Sequence, residues 1–374
     1  MNKRDKKTYL LIAPLPLPIG GVSVHSFRLA HWLLAQGYDC IVCNISKGSS
    51  INAGCQLERM GGIVFRMKSL SGIWGLLSKI LNKPNLTINT HTKNVLLLLL
   101  VLLLKKIKRG STLIVTVHSL RMEQRSKRHT FSAKLLAWIC NSADGVIVTN
   151  GNIFRFLTDL GCDKKLITVS QTYLKPTNME AQEDPGKKIR AFLSGKFPII
   201  TANAYQLTFY NGQDLYGLDL CVQLTEDLKN RGFDVGFVFA LPEIGDTQYY
   251  EKIIDSINRK GLENNFFIRR DAIGLVSLLA LSDFFLRPTN TDGDSISIRE
   301  ALDIGVPVIA SDCVQRPPGV TLFKNRDPDD LLCKVLSLGV LSSKKDGNRR
   351  SSMIKHDNMP MYISALDAVE DKLL

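Results

Sequence analysis

The sequence predicts an α/β chain made of two doubly wound parallel-sheet domains facing across a cleft. Three observations carry that expectation. The 374 residues exceed the roughly 100–200 of a single domain. Short β-type runs alternate with helix-length segments along the whole chain, and strands joined by helices imply a parallel sheet covered on both faces. A polar stretch at 177–186, with Glu183, Asp184, Pro185 and Gly186, splits the alternation into two series.

The first series opens with the apolar run Thr8–Ala13 and a turn-rich segment at 14–21. A basic start before an apolar stretch is also how a signal peptide begins. However, Pro14, Pro16 and Pro18 break the stretch and no small-residue cleavage site follows, so it reads as a first strand. Residues 22–36 place Val22, Phe27, Leu29, Ala30, Leu33 and Leu34 largely along one helical face, and Gly37 stops the helix. Further β-type runs lie at 40–44, 62–67, 86–89, 113–117, 145–149 and 166–169, with helical candidates at 72–81, 92–108, 131–140 and 153–160. The second series has β-type runs at 198–202, 235–240, 266–268, Phe284–Arg287 and 307–310, and helical candidates at Leu218–Asn230, 249–260, 273–281 and 295–304.

Composition narrows the class. Hydrophobic residues make up 45% and charged residues 22%, as in a globular chain rather than a disordered or collagen-like one. The longest apolar run, 95–104, spans ten residues, about half of what a membrane-crossing helix needs. Apolar all round, it reads as a buried crossover helix. The formal charge of +13 is lopsided: residues 1–150 hold 21 Lys/Arg against 5 Asp/Glu, and the remainder 27 against 30. A positive half suggests an anionic partner. Lys105, Lys106, Lys108 and Arg109 form one basic cluster, and Arg121, Arg125, Lys127 and Arg128 another. Such clusters beside apolar segments suit an anionic membrane surface, at about 1 kcal/mol per cation; a solvated basic face is the alternative. Nucleic acid is disfavoured, because no RNP-like, helix-turn-helix or zinc-finger pattern occurs and the clusters lack interleaved aromatics. Of eight cysteines only Cys40 and Cys43 have a C-x-x-C spacing, with no second pair to complete a zinc site. They read as core residues, and unpaired thiols suit a reducing cytoplasm.

Ligands of open α/β sheets sit at strand-end loops, so the candidate chemistry is sought there. After the first strand come Gly20 and Gly21, which let backbone approach a ligand at a helix N-terminus. That suits a phosphate or a sugar hydroxyl, and a plain tight turn equally. No G-x-G-x-x-G follows the strand. The second site follows Phe284–Arg287: Asp292, Gly293, Asp294, Ser295, Ile296 and Ser297 lead into a helix that carries Glu300. Carboxylates eight apart, one on the loop and one two turns into the helix, can line one groove and accept hydrogen bonds from hydroxyls. An N-cap accounts for Asp294 or Ser295 taken singly.

The stretch 284–312 resembles the signature of the family 4 glycosyltransferases. Their Glu-x7-Glu stands here as Asp292-x7-Glu300, followed by Ala301, Leu302, Asp303, Ile304, Gly305, Val306, Pro307 and Val308. The Gly20–Gly21 loop resembles the family's N-terminal glycine loop, and Thr116, Val117, His118 and Ser119 its Thr-x-His-Gly strand end. The resemblance implies the GT-B fold: a Rossmann-like acceptor-side domain at 1–176, a Rossmann-like donor-side domain at 187–355, and a crossover helix within 356–374. It implies a retaining glycosyltransferase that uses a nucleotide-sugar donor, with no cofactor and commonly no metal. The acceptor would be a glycan or lipid-linked oligosaccharide of cell-surface polysaccharide synthesis. The location would be cytoplasmic, peripheral to the inner face of the membrane. Carried over by position, Glu300 binds the donor ribose, and Asp292 with the backbone of 293–296 holds the sugar. His118, Gly20 and Gly21 face sugar and phosphate. The family's Arg/Lys pair on the diphosphate has no counterpart, since no basic residue stands between Asn203 and Asp219; Arg287 and Arg316 are the nearest substitutes. That departure keeps a second reading open, a donor-binding pseudo-enzyme or partner subunit of a polysaccharide assembly.

Overall fold

The computed structural model describes residues 7–16, 20–46, 51–66, 70–92, 94–118, 130–171, 173–271, 274–293, 295–338 and 359–371. The chain separates into two compact units, Met1–Lys175 with Asp357–Leu374, and Pro176–His356.

The first unit holds a seven-stranded parallel sheet: β1 (Thr8–Ala13), β2 (Asp39–Asn44), β3 (Ile63–Arg66), β4 (Leu86–Thr90), β5 (Thr112–Val117), β6 (Gly145–Val148) and β7 (Ile167–Val169). The order is β3-β2-β1-β4-β5-β6-β7. The chain winds outward through β2 and β3, then returns to lay β4 beside β1, which makes the β1/β4 boundary the switch point. All six residues of β1 are buried, as a strand covered on both faces requires. Its side chains alternate between two cores, Leu10 and Ile12 into one and Tyr9 and Leu11 into the other. The same alternation decides the C-x-x-C pair. Cys40 enters one core and Cys43 the other, so the two thiols open on opposite faces of the sheet. Burial pushes each thiol up to about 12.

The leucine run forms the helix Val95–Ile107, started by Asn94, whose side-chain oxygen accepts from the Leu96 and Leu97 amides at 3.0 and 3.3 Å. It is not buried all round, as its composition suggested. Leu98, Val101 and Leu102 pack inward, while Leu96, Leu100, Leu103 and Ile107 are 68, 50, 54 and 60% exposed. A helix covering a sheet has one face against it, and here the outward face stays apolar too. Among the described residues no helix is long and apolar enough to cross a membrane.

The helix Met359–Asp371 belongs to the first unit. Tyr362, Leu366 and Val369 join the core of Tyr9, Leu11 and Ile147. Val369 fills the space over Gly145, where any Cβ would overlap it, and Lys7 Nζ pairs with Asp367 Oδ1 at 3.2 Å.

The second unit holds a six-stranded parallel sheet and a small hairpin. Its strands are β8 (Ile199–Asn203), the hairpin β9 (Phe209–Tyr210) and β10 (Gln213–Asp214), then β11 (Gly236–Ala240), β12 (Phe266–Arg269), β13 (Phe284–Arg287), β14 (Val308–Ser311) and β15 (Val320–Phe323). The order β12-β11-β8-β13-β14-β15 again places a switch point, between β8 and β13. Phe237, Phe239, Phe284 and Leu218 centre the larger core. Two doubly wound parallel sheets are the architecture the alternation predicted. The polar 177–186 stretch contains a single helical turn, Asn178–Ala181.

Candidate functional site

Every residue of β13 is buried, and the strand delivers Arg287 to the start of the loop beside the second switch point. Arg287 grips Asp292 through two hydrogen bonds, Nε to Oδ2 at 3.0 Å and Nη2 to Oδ1 at 3.2 Å. Its Nη1 donates to Asn203 O and Oδ1, both at 3.1 Å. The guanidinium lies 5.2 Å from the Tyr216 ring centroid. From the other side Arg316 Nη1 donates to Asp292 Oδ2 at 2.8 Å, while its Nε reaches Ser311 O at 3.1 Å and its Nη2 Thr289 Oγ1 at 3.0 Å. The loop is thus stitched to the ends of β8, β13 and β14. Burial alone would raise the Asp292 pKa, but the two guanidiniums overrule it and hold the carboxyl at about 2.

This geometry recasts Asp292. Its carboxylate also accepts from Thr289 Oγ1 at 3.3 Å and the Gly293 amide at 3.0 Å. With both oxygens engaged, it braces the loop instead of offering an open acceptor for sugar hydroxyls. Arg287 and Arg316 are likewise tied to it. Gly293 is exposed, with open space where a Cβ would stand. Asp294 lies outside the described residues. Ser295 is the N-cap residue of the helix Ile296–Asp303, yet its side chain makes no capping bond; Ser295 Oγ meets Ser297 Oγ at 3.0 Å. The first-turn N–H groups therefore have no side-chain cap from Ser295. Ile296 is half-buried, and Glu300 is buried within the same helix.

Sequence reasoning missed the neighbouring support. Asp214 accepts from the Tyr216 and Leu218 amides at 2.9 and 2.6 Å and from Tyr249 Oη at 3.0 Å. Gly217, at φ +66, starts the helix Leu218–Asn230 against Pro288, whose backbone a Cβ at 217 would overlap. A glycine directly before a helix start was the available signal.

In the first unit Gly20 is the extended N-cap residue of the helix Gly21–Ala35, at the carboxyl end of β1. Its amide donates to Ser23 Oγ at 2.9 Å, open space surrounds the position a Cβ would take, and Gly21 is exposed. His118 follows β5 directly and is half-buried. Its Nε2 lies 2.8 Å from His91 Nδ1, and the His25 ring centroid is 5.1 Å from that of His118. Desolvation, then the nearby His25, lowers the His118 pKa. For His91 desolvation acts with both neighbours. His25 and His91 were not singled out from sequence. The signal was there, since His91 ends the β4 run as His118 ends the β5 run.

Residues 19–172 match the family model described as Glycosyltransferase Family 4. That stretch of the chain is similar to a family 4 glycosyltransferase domain. The match covers the half in which the motifs were individually short, Gly20–Gly21 and His118 included. None of the curated proteins is a match to the chain. Among solved structures, the chain is similar to HepE of Anabaena in complex with UDP and glucose, at 14% identity and a TM-score of 0.65, covering 98% of this chain and 99% of that one. A glycosyltransferase from Rickettsia africae aligns at 16% identity and 0.67, with coverages of 98% and 99%. The lipopolysaccharide outer core galactosyltransferase WaaB, in its apo form, aligns at 13% and 0.59, with coverages of 98% and 100%. Likeness across both units identifies the fold as GT-B, as the motif resemblance implied.

Proposed function

We propose that the chain moves a sugar from a nucleotide-sugar donor, with retention of anomeric configuration, to a glycan or lipid-linked oligosaccharide acceptor of cell-surface polysaccharide synthesis. The observation that carries this reading is the strand-end loop after β13. Asp292, bonded to both Arg287 and Arg316, braces the loop that leads to a helix N-terminus that Ser295 does not cap, with Glu300 buried in the same helix. A braced set of backbone donors is what a departing phosphate needs, because preorganised dipoles stabilise developing charge without reorganising. In this reading Glu300 receives the ribose, the backbone of 293–296 receives sugar and phosphate, and Asp292 acts by positioning. His118 and the Gly20–Gly21 helix start offer a second set of groups for hydroxyls or phosphate. UDP and glucose in the HepE complex support a nucleotide-sugar donor, and the WaaB likeness supports a lipid-linked or glycan acceptor.

The acceptor hydroxyl attacks the face from which the nucleotide leaves, and the departing phosphate takes its proton, so neither a separate strong base nor a cofactor is required. A peripheral position on the inner face of the cytoplasmic membrane is supported by the outward apolar stripe of Val95–Ile107. Beside it Leu99, Leu103, Trp138, Lys105, Lys106 and Arg109 line a groove of about 490 Å³. That groove lies by Ser111, at the amino end of β5, whereas His118 follows the carboxyl end.

The test is transfer from radiolabelled nucleotide sugars, with donors first ranked by thermal shift across UDP-, GDP-, TDP- and CMP-sugars. Glu300→Gln should lose donor-dependent stabilisation and transfer together. An unchanged rate would remove Glu300 from the site.

A further inference from the structure

Three of the chain's six histidines meet at one point of the first unit. His91 and His118 follow β4 and β5 directly, and His25 stands in the second turn of the helix after β1. Because β1, β4 and β5 are neighbours in the sheet, all three imidazoles arrive at the same carboxyl edge. Ring centroids are 5.2 Å apart for His25 and His91 and 5.1 Å for each of the other pairs. One ligand nitrogen from each ring lies within 4.8 Å of the others.

The geometry points to a binding site for a divalent transition ion, Zn²⁺ in the first instance, held by His25, His91 and His118. Three nitrogens around one ion at about 2.0–2.1 Å would stand roughly 3.3 Å apart, so small ring rotations convert the observed cluster into a ligand set. Burial, with His25 beside both rings, holds the His91 and His118 pKa values well below the usual imidazole range, which favours the neutral form that ligates. His91 and His118 now share one proton across their 2.8 Å contact. On binding, that proton moves to the other nitrogen of its ring. His91 Nε2 is buried with no hydrogen-bond partner among the described residues, an orphan polar atom that marks the site as incompletely satisfied. His25 and His91 are buried while His118 is half-buried, the most accessible of the three. The Tyr362 ring packs edge-on at 4.8 Å from His25, and Asn89 and Thr116 hold the Tyr362 hydroxyl.

Nitrogen ligands without a carboxylate select Zn²⁺ or its transition-metal neighbours over Mg²⁺ and Ca²⁺, and three protein ligands leave a fourth position open. This site stands whether or not the chain transfers sugar. Occupation would also take His118 away from any substrate, so the ion is an inhibitor of whatever His118 does.

The experiment uses the full chain without a histidine tag, stripped with chelator and titrated with Co²⁺. The visible d–d bands of four-coordinate Co²⁺ should appear, saturate at one equivalent, and disappear on adding Zn²⁺ but not Mg²⁺. His91→Gln and His118→Gln should each abolish them, while a Cys55→Ser/Cys333→Ser control, which removes the exposed thiols, should keep them. If His91→Gln does not fold, the half-buried His118→Gln carries the comparison. Absence of bands, or bands that persist in a folded histidine variant, overturns the proposal.

Discussion

The side-chain amide of Asn89 donates to the phenol oxygen of Tyr362 at 3.1 Å, across 273 positions of sequence. Thr116 Oγ1 lies 3.1 Å from the same oxygen and donates to Asn89 Oδ1 at 2.9 Å. Burial, against those two bonds, pushes the phenol up to about 12. Tyr362→Phe keeps the packing but leaves Asn89 and Thr116 short of a partner, at about 1–3 kcal/mol. Tyr362→Ala adds a cavity and should cost about 3–5 kcal/mol. Urea unfolding of the two variants measures both, and equal midpoints for wild type and Tyr362→Phe would remove the triad from the stability of the first unit.

Gly217 and Gly212 make a matched pair. Both have positive φ, +66 and +76, but a Cβ at 217 meets Pro288 whereas one at 212 meets nothing. Gly212→Ala should therefore show only the left-handed penalty, about 1–2 kcal/mol. Gly217→Ala should cost clearly more and lower donor affinity, because the overlap displaces the start of the braced loop. Thermal melts with and without nucleotide sugar distinguish the two.

Asp292→Asn should destabilise the second unit by about 3–5 kcal/mol, since it leaves two buried guanidiniums without a counter-charge. The pH dependence has a definite sign. A carboxyl held at about 2 in the folded chain, against about 3.9 unfolded, stabilises fully above about pH 5. The contribution, about 2.6 kcal/mol, is lost as pH falls from about 5 to 1. Acid unfolding of wild type should show this drop and the Asn variant should lack it. A wild-type loss already at pH 5–6 would have to come from other groups.

Leu100 and Leu103 are exposed, so Leu100→Glu/Leu103→Glu should leave the melting point nearly unchanged while reducing flotation with anionic vesicles. Lys106 and Arg109 are also exposed, and replacing both with Glu should remove about 2 kcal/mol of vesicle binding at low salt. Wild-type binding that is absent at low salt would end the membrane reading.

Element type was legible where periodicity is strong: Thr8–Ala13, Leu218–Asn230 and Phe284–Arg287 coincide with their observed spans. The helix Ile51–Arg59, the hairpin β9/β10 and the edge strand β15 were not read, because short or weakly apolar segments carry little periodic signal. Strand order is a non-local property, and two consequences hung on it. Without β1, β4 and β5 side by side, His25, His91 and His118 looked like scattered residues. Without the three-dimensional loop, Arg287 and Arg316 looked available for a diphosphate, when both close on Asp292. The leucine run misled for a related reason, since composition does not say which face of a helix the sheet covers.

The helix Met359–Asp371 has a temporal consequence. It is translated after the entire second unit, yet Tyr362, Leu366 and Val369 complete the core around Tyr9, Leu11 and Ile147. A ribosome making this chain cannot let that core close until residue 369 clears the exit tunnel, so the half begun first is the half finished last.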